Sequence, residues 1–200
     1  MEYLLTGIVI TAVIVFIAFI LAFLSGAGGV DESEARRAGR RGEHFASRLI
    51  SEVLNDWDIL LTNVKLSYDG KRTELDNVII NNRGVFIIEV KNYSGMLVGE
   101  EDDFEWVKNK VTDAGNIYQK TVKNPIPQVK RQIYILSGRL KQRKINVWVE
   151  GYVFFVERNS PVRSDYVLDT RRDIDRVIHH GTDNNLSNAD KKRIVDALLS

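Results

Sequence analysis

No cysteine occurs in the 200 residues, which excludes disulfides and a thiol nucleophile; a chain without thiols fits either side of a membrane. Charge of one sign is also missing in excess: 28 Lys and Arg stand against 27 Asp and Glu, a net charge of +1. That balance excludes the strongly basic character of an obligate nucleic-acid coat protein, so any such binding falls to a local patch. There is no G-x-x-x-x-G-K-[ST] run and hence no sequence support for nucleotide hydrolysis. Internal repeats and low-complexity segments are absent as well. At 44% hydrophobic and 28% charged residues, the chain can bury one real core and is too short for several large domains.

Two local absences carry more. Residues 4–24 contain no charge, and a run of that length can cross a bilayer as a helix. A cleaved signal peptide is the rival reading, with Ser25 and Ala27 small enough for a cleavage site. However, no Lys or Arg precedes the run, and it exceeds the ~7 to 15 residues of a signal core. An uncleaved anchor over residues 1–25 is therefore expected. Only Glu2 stands before the span, whereas Arg36, Arg37, Arg40 and Arg41 follow it, so the rest of the chain should face the cytoplasm, a single-pass arrangement in the cell membrane. The sequons at Asn92 and Asn185 would matter only on the other side.

The second local absence is of acid. From Asp113 to Glu150 there is none between, while Lys120, Lys123, Lys130, Arg131, Arg139, Lys141, Arg143 and Lys144 all fall inside. This is either a solvated helix face or a phosphate-binding surface.

After the small-residue joint SGAGGV, within a linker over 26–38, a domain is expected over 39–200. Phe45, Leu49, Ile50, Val53 and Leu54 recur at helical spacing and predict an amphipathic helix over about 39–55. Residues 57–66 read as a strand. LDNVII, the turn-rich NNRG and VFIIEVK predict a hairpin over 75–91. A second hairpin is expected over 95–106, around the acidic tip of Glu100, Glu101, Asp102 and Asp103. Asn124 as N-cap and Pro125 in the first turn should open a helix on which Ile126, Val129, Ile133, Leu136 and Leu140 step by three or four. Residues 145–157 predict a central strand. Ser187 with Asp190 three later should start a last helix that buries Ile194, Val195, Leu198 and Leu199. This order of elements predicts an α/β domain with a mixed sheet.

VFIIEVK holds a puzzle, because an apolar strand carries Glu89 and Lys91 into its end. With Asn82 and Arg83 central in the turn, cross-strand partners have numbers adding to 165, which sets Asp76 opposite Glu89. Cβ atoms so placed are ~4.5 to 5.5 Å apart, and like charges there repel. A three-residue loop would instead slide the register and separate the two acids. Lys91 shares the face of Glu89 by the period of two.

Two carboxylates and a lysine suit metal-dependent phosphodiester hydrolysis: the acids hold a divalent ion, and the lysine orients or activates water or steadies the developing charge. Oxygen-only ligation favours Mg²⁺ or Mn²⁺ over zinc. On a helical wheel Glu43 falls within ~40° of Ser47, Ile50 and Leu54, close to the inward stripe, where it could be a third ligand. Each residue also has a plain structural reading: Glu43 as a first-turn acid favoured by the helix dipole, Lys91 in a salt bridge to Glu74, Asp76 as a solvated strand-edge residue. His44 should point elsewhere, and the pair His179–His180 shows no metal partners in the sequence.

GRRGEHFA, ELDNVIINNRGVFIIEVKNYSG and NPIPQVKRQ, in this order, resemble the nuclease-related domain family of the restriction-endonuclease-like superfamily, whose signature is a helix-borne Glu, then Asp, then Glu-x-Lys. The resemblance spans about residues 39–143. It implies a restriction-endonuclease-like mixed sheet flanked by helices, with Asp76 and Glu89 as metal ligands, Lys91 as catalytic assistant and Glu43 as accessory ligand. Gln128 matches a polar position near the site in related nucleases. The activity expected is Mg²⁺-dependent cleavage of nucleic acid, DNA above all, with the basic 120–144 stretch supplying Lys123, Lys130 and Arg131 as phosphate contacts. Two other classes fit the sequence: a catalytically silent module of the same fold that binds nucleic acid or a protein partner, and a membrane-associated interaction protein using the acidic tip.

Overall fold

A computed structural model describes residues 37, 39–93, 95–111, 115–157, 162–181 and 184–200. The chain forms two compact units, Met1–Arg41 and Gly42–Ser200. Of the first, the described residues are helical; in the second, α1 takes residues 42–51, and both sheets belong to it. No helix among the described residues is long and apolar enough to cross a membrane. The expected span at 4–24 and the joint at 25–30 lie outside the described residues.

The main sheet has five strands in the order β1-β2-β3-β7-β8. β1 (Ile59–Tyr68), β2 (Lys71–Ile80) and β3 (Val85–Lys91) form an antiparallel meander, while β7 (Val149–Phe155) and β8 (Val167–Leu168) add in parallel. β3 is the middle strand, and Val85 to Val90 are buried on both faces. Its odd positions Val85 and Ile87 pack with Ile135, Leu136 and Leu140 of α2 (Ile126–Gln142) and Ile194 and Leu198 of α4 (Asn188–Leu199). Its even positions Phe86, Ile88 and Val90 pack with Ala46 and Ile50 of α1 and Ile174 and Ile178 of α3 (Arg171–His179). Helices thus cover both sides, as alternating burial along the strand requires.

A second sheet of three strands, β4 (Met96–Val98), β5 (Glu105–Val111) and β6 (Ile117–Lys123), runs antiparallel. The β4–β5 hairpin around the acidic tip was expected; β6 was not, and neither were β8 and α3.

Several boundaries differ from expectation. α1 ends at 51, and Phe45 is 46% exposed, the buried stripe being Gly42, Ala46 and Ile50. Pro125 is the N-cap of α2; Asn124 sits one residue earlier, where its Oδ1 accepts the Ile126 N–H at 2.9 Å. Ser187 and Asp190 form the reciprocal capping box of α4. Leu199 is 67% exposed rather than packed inward, because the buried stripe of α4 ends on Ala197 and Leu198 and the next residue turns about 100° further round the helix.

Candidate active site

The β2–β3 ladder pairs Asn77 with Ile88, Val78 with Ile87, Ile79 with Phe86 and Ile80 with Val85. Each pair adds to 165, the register of the four-residue turn at 81–84. That turn closes through the Asn81 N–H on Gly84 O at 3.1 Å, with Asn81 Oδ1 taking the N–H groups of Arg83 and Gly84. One step further along the same register come Asp76 and Glu89. There the Asp76 carboxylate receives the Val90 N–H, at 2.8 Å. On the other side the β1–β2 ladder passes from Thr62–Asn77 to Val64–Leu75. The skipped residue, Asn63, has φ 54°, a left-handed conformation that asparagine tolerates better than most residues.

Glu89 is 3% exposed and faces α2. Its Oε1 accepts Lys91 Nζ at 2.6 Å and Gln128 Nε2 at 2.6 Å, and its Oε2 accepts Gln132 Nε2 at 2.7 Å. Lys91 Nζ also donates to Gln128 Oε1 at 3.1 Å. Gln132, wholly buried, spends its amide on Glu89 and on Glu74 O at 3.2 Å, leaving Oε1 as a buried atom without a hydrogen bond. Lys91 therefore pairs with Glu89 and not with its cross-strand neighbour Glu74.

Charge follows from this packing. Burial, then the nearby Glu89 carboxylate, push the Asp76 carboxyl up to about 7, against the opposing pull of the Val90 N–H and Lys91; Glu43 adds to the rise. Burial works against the Lys91 charge, but Glu89 overrides it and holds the ammonium above the usual lysine range. Burial likewise pushes the Tyr93 phenol up.

Glu43 reaches this neighbourhood because α1 is pinned close by. Ser47, one turn on, donates its hydroxyl to Asn77 Oδ1 at 2.8 Å, and Asn77 adjoins Asp76. Gly42 makes the approach possible: a Cβ there would stand 2.7 Å from Asn92 Cβ.

The structure thus brings Asp76, Glu89, Lys91 and Gln128 together, with Glu43 acting on Asp76 through its charge. Each of the three expected phosphate contacts has a protein neighbour of its own. Lys130 pairs with Glu101 at 3.1 Å and lies over the Tyr166 ring, Arg131 donates to Arg72 O at 3.2 Å, and Lys123 stands opposite Glu105 at the end of β6. Gln132 was missed, although its spacing of four from Gln128 places both amides on one helix face. Among the described residues His179 belongs to no metal-holding group, but its ring nitrogens have hydrogen-bond partners, 2.8 Å from Asp58 and 2.8 Å from Asp175. Asp175 lies one helical turn before His179 on α3, a spacing the sequence displays, whereas Asp58 comes from the approach to β1, 121 residues away.

Among the described residues, no three His, Asp or Glu side chains form a group able to hold a metal. Mg²⁺ does not require one, since one or two carboxylates with water and substrate phosphate complete its octahedron. Asp76 and Glu89 fit that count with oxygen donors. Beyond burial, the larger cause, the repulsion by Glu89 that helps to raise Asp76 is of the kind a doubly charged cation relieves.

No solved structure matches the chain. An uncharacterized protein of Bacillus anthracis is 28% identical over 108 residues, 52% of this chain and 48% of the relative. The chain thus spans about half the length of the curated relative it matches. The family described as "Nuclease-related domain" matches residues 38–156, more than half of the chain and every strand and helix that carries the paired acids; the chain belongs to the nuclease-related domain family.

Proposed function

We propose that the protein hydrolyses phosphodiester bonds in nucleic acid, with DNA as substrate and Mg²⁺ or Mn²⁺ as cofactor. The observation that carries this reading is the Asp76–Glu89 pair, two acids on one face at the open end of a hairpin, with Lys91 bonded to one of them at 2.6 Å. In this reading Asp76 and Glu89 hold the ion and Glu43 is accessory. The ion would supply positive charge to the scissile phosphate.

The remaining roles belong to the chain itself. Lys91, kept as an ammonium by Glu89, steadies negative charge developing on phosphate oxygens. Gln128 and Gln132 fix the Glu89 carboxylate, so that the acid needs little rearrangement when substrate arrives. Arg131, three residues beyond Gln128 on α2, contacts backbone phosphates, with Lys130 and Lys123 as further contacts. The apolar run at 4–24 anchors the chain in the cell membrane, with the domain on the cytoplasmic side.

The purified chain, incubated with DNA and RNA in Mg²⁺ or Mn²⁺, should cut DNA, and Glu89→Gln should lose about 100-fold or more of that rate. Failure of the folded protein to cut any form of DNA or RNA overturns the reading. One observation favours a second reading, a silent module that binds nucleic acid or a protein partner: protein donors already engage both Glu89 oxygens. It predicts that Asp76→Ala leaves divalent-ion binding unchanged while DNA still binds with steep salt dependence.

A further inference from the structure

The second sheet has two unlike faces. By the period of two, Trp106, Lys108 and Lys110 share one face of β5, and their register partners Val122, Lys120 and Tyr118 share it on β6. None of the six is acidic. Lys108 stands directly opposite Lys120, a placement in which like charges destabilise the pairing. Among the described residues, neither these two nor Lys110 makes an ion pair. On the opposite face, Lys123 has an acid, Glu105, as its partner. The chain thus sets acid against base on one side of the ribbon and base against base on the other.

The lysine face is also the face by which the ribbon docks. Trp106, fully buried, packs on Phe155 with ring centroids 6.0 Å apart, and its indole N–H donates to Glu100 O at 2.8 Å. Phe155 is the β7 register partner of Lys91. The ribbon is therefore fixed beside the strand end that carries Glu89 and Lys91, and its lysines continue outward from that anchor. Lysines on an edge strand commonly discourage pairing with other chains. Lys108 lies in the middle strand, where that purpose does not arise.

We propose that Lys108, Lys110 and Lys120, with Tyr118, form a cradle for the sugar-phosphate backbone of the substrate and lead it toward Asp76 and Glu89; the proposal rests on the nuclease reading above. Lysines two apart on a strand are spaced at about 7 Å, close to the rise of two nucleotides in a stacked strand. Tyr118, 53% exposed opposite Lys110, offers a ring for an unpaired base. A phosphate between Lys108 and Lys120 would relieve their repulsion.

The test compares the full chain with K108Q/K120Q. Binding of a fluorescent DNA oligonucleotide is measured in EDTA across a salt series, beside a control, K65Q/K192Q, that removes the same charge from β1 and α4. Loss of two phosphate contacts should lower the slope of log K against log salt by about 1.4 to 1.8 and weaken binding about tenfold at 0.15 M salt. The melting temperature should hold or rise, because a repulsive pair is gone. An unchanged slope, an equal loss in the control, or unfolding of K108Q/K120Q overturns the cradle. The nuclease reading is judged separately, by wild-type cleavage of the same oligonucleotide in Mg²⁺ or Mn²⁺. Cutting with an unchanged slope sinks the cradle alone, whereas a wild-type chain that neither binds nor cuts sinks both.

Discussion

Val90 gives its backbone N–H to the side chain of Asp76, 2.8 Å away, at the point where the β2–β3 ladder stops. The same carboxylate that faces Glu89 therefore also holds the strand ends together. Asp76→Asn keeps an acceptor for Val90 and removes one of two opposed charges, so in EDTA its melting temperature should equal or exceed that of wild type. Asp76→Ala strands the Val90 N–H and should cost about 1 to 3 kcal/mol. Thermal unfolding of both variants without divalent ions checks this, and equal destabilisation by the two contradicts it.

Gln132 is buried with its amide on the Glu89 carboxylate at 2.7 Å. Replacing it by leucine leaves that oxygen without its donor, and a loss of about 1 to 3 kcal/mol is expected in urea unfolding. The same change at exposed Arg131 should stay within about 0.5 kcal/mol.

The pH dependence of stability should carry the signature of His179. Burial opposes its charge, but hydrogen bonds to Asp58 and Asp175 override this and raise the imidazole above its ordinary value of 6.5. A raised folded value means a contribution fully present below pH 6.5 and lost as pH climbs through the folded value. Wild type should therefore exceed His179→Gln in stability most at pH 5 to 6, and the gap should narrow toward pH 9. Denaturant midpoints at each pH measure it, and a gap that widens with pH refutes the assignment.

Gly42→Ala inserts a Cβ 2.7 Å from Asn92 Cβ, so α1 and the segment of Asn92 must part, which shifts Glu43 relative to the end of β3. Overpacking of this kind costs about 1 to 3 kcal/mol, and Mg²⁺-dependent cleavage should fall as well. Gly39→Ala meets nothing within 4 Å and should leave stability unchanged or slightly raised. Melting temperatures and initial rates for the two variants decide between local crowding and general helix sensitivity.

How far the sequence could be read varied with the strength of its pattern. The 165 register was one of two that NNRG and its apolar flanks allowed, and the two-residue turn is the one the ladder adopts. Ser187 and Asp190 named the start of α4. β6 was not legible: only Val122 among its seven residues is even partly buried, so it carries no apolar alternation. α3 shows only three buried residues in nine, though its Thr170–Asp173 capping box was present as a written signal. The acid pair could be placed from register alone. Of the amides that hold Glu89, Gln128 was reached only through the family resemblance and Gln132 not at all, since both come from a helix some forty residues further on and only folding brings them to the acid.

The middle position of β3 has a last consequence. Sliding this strand by one residue would drive Glu89 into the apolar layer of Ala46, Ile50 and Ile174 and turn Val90 toward Gln132. Such an error would wreck the interior before it misaligned the acids. Every correctly folded copy consequently has its acids aligned from the outset, and abolishing that alignment takes a chemical change of side chain rather than a shift of strand.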